Sequence, residues 1–203
     1  MKKCIVFGAG EYDGQTPVTD GDTVIIAADA GIERCIAAGL VPDHVIGDFD
    51  SLGHVPAGEN VLCLPVEKDV TDTDAAAALA LRLGCEEIRF YGAAGGRPDH
   101  TLANISLVAR LAEKGIGAFM YGAGYEITAV KDGTLTVRGE PGKTVSVFSW
   151  TDVSRGVTLK GLKYPLEDAE LTNTFALGVS NSLIGETAEV SVGEGLLVVM
   201  IQR

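Results

Sequence analysis

The stretch Gly47-Asp48-Phe49-Asp50-Ser51 sets two carboxylates two residues apart, just behind the short apolar run His44-Val45-Ile46. Carboxylates that close repel one another unless a positive charge lies between them, and a hard cation such as Mg²⁺ suits such a pair. The same arrangement recurs along the chain. Asp29 follows the apolar run 24–28, Asp69 and Asp72 follow 61–64, and Asp99 follows 88–91. If those runs are parallel strands, the loops behind them share one sheet edge and the acids converge there, at the edge where open α/β sheets bind ligands. Aspartates that only cap helices or fill polar loops would give no such convergence.

Polyphosphate chemistry needs parts that this edge could supply. Oxygen ligands hold Mg²⁺, the metal bridges phosphoryl oxygens, and a protein cation stabilises charge on the transferred group. Asp48, Asp50 and Asp72 are the metal-side candidates. Arg97 lies in Gly95-Gly96-Arg97-Pro98-Asp99-His100 and is the first cationic candidate, because a guanidinium matches phosphate geometry in a bidentate way. Lys68, in Glu67-Lys68-Asp69-Val70-Thr71-Asp72, is the second. Gly95 and Gly96 let backbone approach a phosphate, and the helix behind them offers free N–H groups to an anion. Gly8-Ala9-Gly10 could admit a phosphate or ribose, although such a pair often marks only a tight turn. His100 reads as a base or as a packing residue at a helix start. His44 and His54 have no motif around them. The Walker A pattern, a complete G-x-G-x-x-G and the kinase H-R-D set are absent, which excludes the large kinase classes.

The elements that must position these residues alternate through the first part of the chain. Runs at 4–7, 24–28, 45–46, 61–64, 88–91 and 118–121 are apolar on both faces, as buried parallel strands require. Between several of them lie helical segments. Residues 30–38 carry Ile32, Cys35 and Ile36 on one face. Residues 72–83 are alanine-rich behind a Thr71 N-cap. Residues 101–114 set Leu102, Ile105, Val108, Leu111 and Ala112 at helical spacing. Gly39, Gly84 and Gly115 follow as left-handed C-caps. After Tyr121 no helical period survives. Short β-prone runs appear at 126–130, 134–138, 144–148, 156–159, 188–192 and 196–201, with Asp132-Gly133 and Glu194-Gly195 resembling hairpin turns. The expected fold is α/β plus all-β. A Rossmann-like, mostly parallel sheet flanked by helices occupies residues 1–123, and a small β-sandwich or barrel occupies 124–203. In the second part, Gly161-Leu162-Lys163-Tyr164-Pro165-Leu166 and the pair Ser180-Asn181 stand out. The latter is expected in a loop between strands, offering donors and acceptors to a heteroaromatic edge.

Composition narrows the partners. Lys+Arg number 16 against 28 Asp+Glu, a net charge of −12, which disfavours a nucleic-acid or anionic-membrane surface and suits a cationic ligand or an anion carried in with metal. Cys4, Cys35, Cys63 and Cys85 fall in apolar segments without metal-ligand spacing, so reduced core thiols and a cytoplasmic location are expected. No stretch approaches the roughly 18 apolar residues of a membrane span.

Taken in order, several motifs resemble the bacterial thiamine pyrophosphokinase family. They are Ala28-Asp29-Ala30-Gly31, the run from Pro42 to Ser51, Asp69-Val70-Thr71-Asp72, the run from Gly95 to Asn104, the run from Gly161 to Leu166, and Ser180-Asn181. The resemblance implies transfer of a pyrophosphoryl group from ATP to the hydroxyl of thiamine with Mg²⁺, giving thiamine diphosphate and AMP. It also implies a homodimer whose site lies between the α/β part of one subunit and the β part of the other. On this pattern Asp48, Asp50 and Asp72 match the metal and phosphate site. Asp29, Gly31, Asp69, Gly95, Gly96, Arg97 and Asp99 match nucleotide-side positions. Ser180 and Asn181, with Lys68, match the thiamine side. Asp72 or Asp99 could accept the hydroxyl proton. The family often has Asp-Gly-Gly where this chain has Asp29-Ala30-Gly31, and Lys68 stands where related chains vary. A pyrophosphokinase for a pterin alcohol, a non-catalytic nucleotide or thiamine diphosphate sensor, and a metal-dependent phosphohydrolase are the competing readings.

Overall fold

The computed structural model of the chain describes residues 1–122 and 124–203. The expected boundary between the two parts falls on Ala123, outside the described residues. The chain clusters into two compact units, one of residues 1–107 with 120–122 and the other of 108–119 with 124–203.

The first unit begins with β1 (Lys3–Phe7), β2 (Val24–Ala28), α1 (Gly31–Ala37), β3 (His44–Gly47), β4 (Val61–Cys63), α2 (Asp72–Arg82) and β5 (Glu87–Tyr91). Helix α3 (Pro98–Glu113) and strand β6 (Gly117–Gly122) come next. The strands lie in the order β6-β5-β1-β2-β3-β4, and the neighbours from β5 to β4 pair in parallel. The chain therefore steps outward from β1 to β4 and then returns to β5 on β1's other side. That reversal puts the topological switch point between β1 and β5. β1 and β2 are buried almost end to end, as an apolar run in a parallel sheet should be. β4 differs, because Leu62 and Cys63 are exposed on the edge strand. The expectation of four core thiols holds for Cys4, Cys35 and Cys85 and fails for Cys63.

The helices form where their caps allow. Thr71 Oγ1 accepts the Asp74 N–H at 3.1 Å and opens α2. Gly39, Gly84 and Gly115 all take positive φ behind their helices, at 74°, 78° and 73°. α2 buries Ala76, Ala77, Leu79 and Ala80. Helix α3 starts at Pro98, three residues before the periodicity suggested, since a proline at the first helical position loses no intrahelical bond. Ile105, Val108 and Leu111 are buried, but Leu102 is exposed, as is Ile36 in α1. Both lie where the apolar stripe outruns the covered face.

The second unit is antiparallel and holds no helix among its described residues after 123. Its strands are β7 (Tyr125–Lys131), β8 (Thr134–Arg138), β9 (Thr144–Ser149), β10 (Val153–Lys160), β11 (Leu166–Thr172), β12 (Gly178–Ser182), β13 (Thr187–Ser191) and β14 (Leu196–Gln202). They run in two rows, β12-β9-β14-β7 and β11-β10-β13-β8. One apolar cluster draws on both rows, including Val145, Val147, Leu197 and Val199 from the first and Val137, Val157, Leu159 and Val190 from the second. β11 and β12 carry no apolar run and were not anticipated. Asp132-Gly133 and Glu194-Gly195 are not hairpin turns. Each carries the chain from one row to the other, β7 to β8 and β13 to β14. The two crossings are stitched together: Asp132 N–H donates to the Gly195 carbonyl at 3.1 Å, and Gly195 N–H donates to Asp132 Oδ1 at 2.8 Å.

Candidate active site

A cavity of about 920 Å³ opens in the first unit where the strands of its parallel sheet end. At the switch point, glycines bring backbone against backbone. Gly8 N–H donates to the Tyr91 carbonyl and Gly10 N–H to that of Gly92, at 2.8 and 2.7 Å. A Cβ on Gly10 would stand 2.7 Å from the Gly92 oxygen, so a side chain is excluded there. Gly8-Ala9-Gly10 is thus a close-packed turn, and the cavity lies along Ala9 and Gly10.

The acids reach this cavity by two left-handed residues. Asp29 has φ 49° and Phe49 has φ 60°, a conformation that non-glycine residues adopt at a cost. Phe49 is buried with Ala27 and Val45, packed against Ile32, Leu52 and Val61. Its ring anchors the turn from below while Asp48 and Asp50 line the cavity. Asp48 Oδ1 also accepts the Asp50 N–H at 3.3 Å, closing a local Asx turn. Gly47 permits the approach of the Asp29 corner, whose Cα would lie 3.0 Å from a Cβ at that position.

Carboxylate oxygens of Asp29, Asp48 and Asp50 lie within 4.8 Å of one another. Asp29 Oδ1 is buried without a hydrogen-bond partner. Three oxygen donors at that spacing, one otherwise unsatisfied, fit a hard divalent cation. The grouping differs from the expected one, because Asp29 joins Asp48 and Asp50 while Asp72 is drawn to Lys68. The Lys68 ammonium pairs closely with Asp48 and lies 3.2 Å from Asp72 Oδ1. That second contact has ion-pair distance without a hydrogen bond's alignment.

The electrostatics are set by this arrangement. The Lys68 hydrogen bond holds the Asp48 carboxyl below its ordinary value, against the cost of burial. Burial works against the Lys68 charge, but the hydrogen bond to Asp48 and the nearby Asp72 carboxylate outweigh it and the ammonium is held more firmly. Asp72 moves the other way. Burial raises its carboxyl, Lys68 offsets part of the rise, and the charges of Asp48 and Asp29 add to it.

The other expected residues separate. Gly95, Gly96, Arg97 and His100 line the cavity. Arg97 Nη2 lies 2.6 Å from Asp99 Oδ2 in an exposed pair, which lowers the Asp99 carboxyl. Asp99 itself is not on the cavity wall, and neither is exposed Asp69. Gly31 is not there either. It lets α1 sit on the end of β1, where a Cβ would come within 2.0 Å of the Phe7 carbonyl oxygen. Two charged cavity residues were missed. Arg34 leans on the carbonyls of Gly10 and Ala9 at 3.5 and 3.4 Å, and Glu11 accepts the Gly96 N–H at 3.0 Å. Each is a charged residue beside an expected motif, but only folding shows that it faces the cavity.

In the second unit, Ser180 and Asn181 lie within strand β12 and not in a loop. Ser180 is exposed with φ 59°, and its N–H donates to Ser146 Oγ at 3.1 Å. Asn181 is buried. Its Oδ1 accepts the N–H groups of Tyr164 and Ser182, both at 2.9 Å, and its Nδ2 donates to the Tyr164 carbonyl at 2.6 Å. The two motifs singled out in the second part are thus one assembly. The Lys163 ammonium lies 5.4 Å from the centroid of the exposed Tyr164 ring.

Fold and cavity together define an α/β protein with an acidic, cation-ready cleft at a sheet switch point, continued by an antiparallel β unit. Comparison with known proteins narrows this class. Residues 17–120 match the family model "Thiamin pyrophosphokinase, catalytic domain", and residues 133–197 match "Thiamin pyrophosphokinase, vitamin B1 binding domain". Thiamine pyrophosphokinase of Bacillus subtilis is 30% identical over 192 residues, covering 91% of this chain and 90% of that protein. A crystal structure of thiamine pyrophosphokinase from Bacillus subtilis superposes with a TM-score of 0.87 at 27% identity, over 99% of each chain. One of thiamin pyrophosphokinase from Geobacillus thermodenitrificans gives 0.84 at 28%, over 100% of this chain and 98% of that one. The chain belongs to the thiamin pyrophosphokinase family.

Proposed function

We propose that this chain transfers the pyrophosphoryl group of Mg·ATP to the hydroxyl of thiamine, giving thiamine diphosphate and AMP. The observation that carries the reading is the convergence of Asp29, Asp48, Asp50, Asp72 and Lys68 on one cavity at the switch point, in a chain of this family. In this reading residues 1–123 form a Rossmann-like nucleotide-binding catalytic domain. Residues 124–203 form a β-sandwich that binds thiamine and supports dimerisation.

Asp29, Asp48 and Asp50 would hold Mg²⁺, and the metal, when bound, neutralises charge on the triphosphate. Lys68 screens Asp48 and Asp72 from each other and stands ready to meet a phosphoryl oxygen. Arg97 brings a second cation to the developing charge. Of the two proton acceptors considered, Asp72 is the better one. It lines the cavity and its carboxyl is raised by burial, whereas Asp99 is tied to Arg97. The Gly95-Gly96 turn lies against the nucleotide. Ser180 meets thiamine directly, and Asn181 acts through the backbone of Tyr164.

Two further parts of the proposal rest on other features. The second unit leaves Tyr164, Phe175, Leu177, Val179 and Ile184 exposed, which supports a homodimer. Free cysteines support a cytoplasmic location, and no helix among the described residues is long and apolar enough to cross a membrane. The test is the nucleotide product when thiamine and Mg·ATP are supplied. AMP, formed in step with thiamine diphosphate, is expected. ADP as the main product, or ATP loss without an altered thiamine, would overturn the proposal.

A further inference from the structure

We infer that Glu11 is a positioning residue for the Gly95-Gly96-Arg97 turn, and that it sets how well the cavity accepts the nucleotide. The inference rests on the proposed reaction and adds to it a residue outside every motif that marks the family in this sequence.

Residues 95–97 connect the end of β5 to α3, and both glycines take positive φ, 80° and 67°. Two consecutive left-handed glycines give a loop many alternative shapes, so a fixed shape needs ties from outside. From the helix side the backbone ties run through Thr101, whose N–H donates to the Arg97 carbonyl at 3.0 Å. Gly95 N–H donates to Thr101 Oγ1 at 3.1 Å, and Thr101 Oγ1 donates to the Arg97 carbonyl at 3.2 Å. From the opposite side of the switch point the tie is Glu11. Its N–H donates to the Ala94 carbonyl at 3.0 Å, forming a short antiparallel bridge. Its Oε1 accepts the Gly96 N–H at 3.0 Å. The carboxylate packs against Gly95, where a Cβ would stand 2.4 Å from both Cδ and Oε2.

Glu11 therefore joins the two loops that flank the switch point, across 85 residues of sequence. The backbone bridge to Ala94 fixes where the loops meet. The side chain fixes the glycine pair beyond that bridge, because it holds the last amide before Arg97. A charge-assisted bond to a backbone N–H is stronger than a neutral one, which suits a single contact that must hold a two-glycine turn near solvent. Without it the Arg97 backbone is held from the helix side alone. Its guanidinium, paired with exposed Asp99, would then shift with the turn, and a cation that must be ordered on binding contributes less to affinity.

The test compares Glu11→Ala with Glu11→Gln, whose amide oxygen can accept the same N–H. In Glu11→Ala the KM for Mg·ATP should rise about 5–10-fold, while the KM for thiamine and the melting temperature stay close to those of the parent. Amide hydrogen exchange across 93–97 should quicken in the same variant, measured without substrates. Glu11→Gln should restore both the KM and the protection to within about twofold. Three results would overturn the inference: an unchanged KM for Mg·ATP in Glu11→Ala, an equal rise in both KM values, or failure of Glu11→Gln to restore. A fall in the KM for Mg·ATP would also overturn it, and would mean that the carboxylate only occupies an anion's place. The parent protein is the control for the reaction. If it makes no AMP from thiamine and Mg·ATP, the proposed function fails. If it does and Glu11→Ala behaves like it, only the role given to Glu11 fails.

Discussion

Asn181 grips Tyr164 at both of its backbone polar groups, accepting its N–H at 2.9 Å and donating to its carbonyl at 2.6 Å. A strand residue thereby fixes the segment that carries the exposed Tyr164 ring and the Lys163 ammonium above it. In Asn181→Ala the Tyr164 groups lose a buried partner, which typically costs about 1–3 kcal/mol. Urea denaturation should show a loss of that size, with a weaker apparent affinity for thiamine. Ser180→Ala should keep the parent's stability, because its hydroxyl is exposed and its backbone bond to Ser146 Oγ remains. Equal stability loss in the two variants would contradict this division of labour.

Asp48 lies in both charged groupings of the cavity, the acid cluster and the Lys68 pair. Asp48→Asn removes one carboxylate charge from the cluster and leaves Lys68 with Asp72 alone. Turnover should fall by about 10²–10³, the usual loss when one group that stabilises transition-state charge is removed. Far-ultraviolet circular dichroism should be unchanged. Calorimetric titration with Mn²⁺ should show weaker binding, a readout that does not depend on turnover.

Lys68 predicts a pH dependence with a definite sign. Asp48 is held below its ordinary value, so its contribution to stability is present at neutral pH and is lost only in acid, below about pH 4. Asp72 is raised, so its effect runs the other way: folding gains as the pH falls through its folded pKa. Carboxyl ¹³C NMR should find Asp48 titrating below Asp72. In Lys68→Met both should move up, because the ammonium lowers both. The stability cost of that substitution should be largest near pH 7 and shrink in mild acid as the unpaired acids take up protons. A cost that does not change with pH would show that Lys68 acts through packing.

Phe49 separates the two acids of the turn and is 2% exposed. Phe49→Ala opens a cavity under Asp48 and Asp50 and should cost about 3–5 kcal/mol in chemical denaturation. Phe49→Leu, which refills much of the space, should recover most of the stability. Turnover should fall in the order Phe, Leu, Ala, because the ring sets the height of the acids above the sheet.

Much of the first unit was legible because its strands are buried on both faces and its helices end in glycines, signals local to a few residues. Thr71, Gly39, Gly84 and Gly115 perform the capping roles their positions implied. β11 and β12 were missed for the opposite reason. They are largely polar and carry no apolar run, so their pairing is set by neighbours and not by their own pattern. Asp132-Gly133 read as a hairpin because turn chemistry is local. Whether the next strand pairs with the last one or crosses to another row depends on distant partners.

The amino-acid order alone determined the alternation of elements, the acids behind each strand and the likeness to the family, since each depends on residue type and short spacing. Only the tertiary structure decided which acids come together. It set Asp29 with Asp48 and Asp50, placed Lys68 between Asp48 and Asp72, and brought Glu11 to Gly96. The reason is that strand order and two left-handed corners control where side chains meet. These come from burial and backbone packing across the whole sheet, which no short stretch of sequence contains.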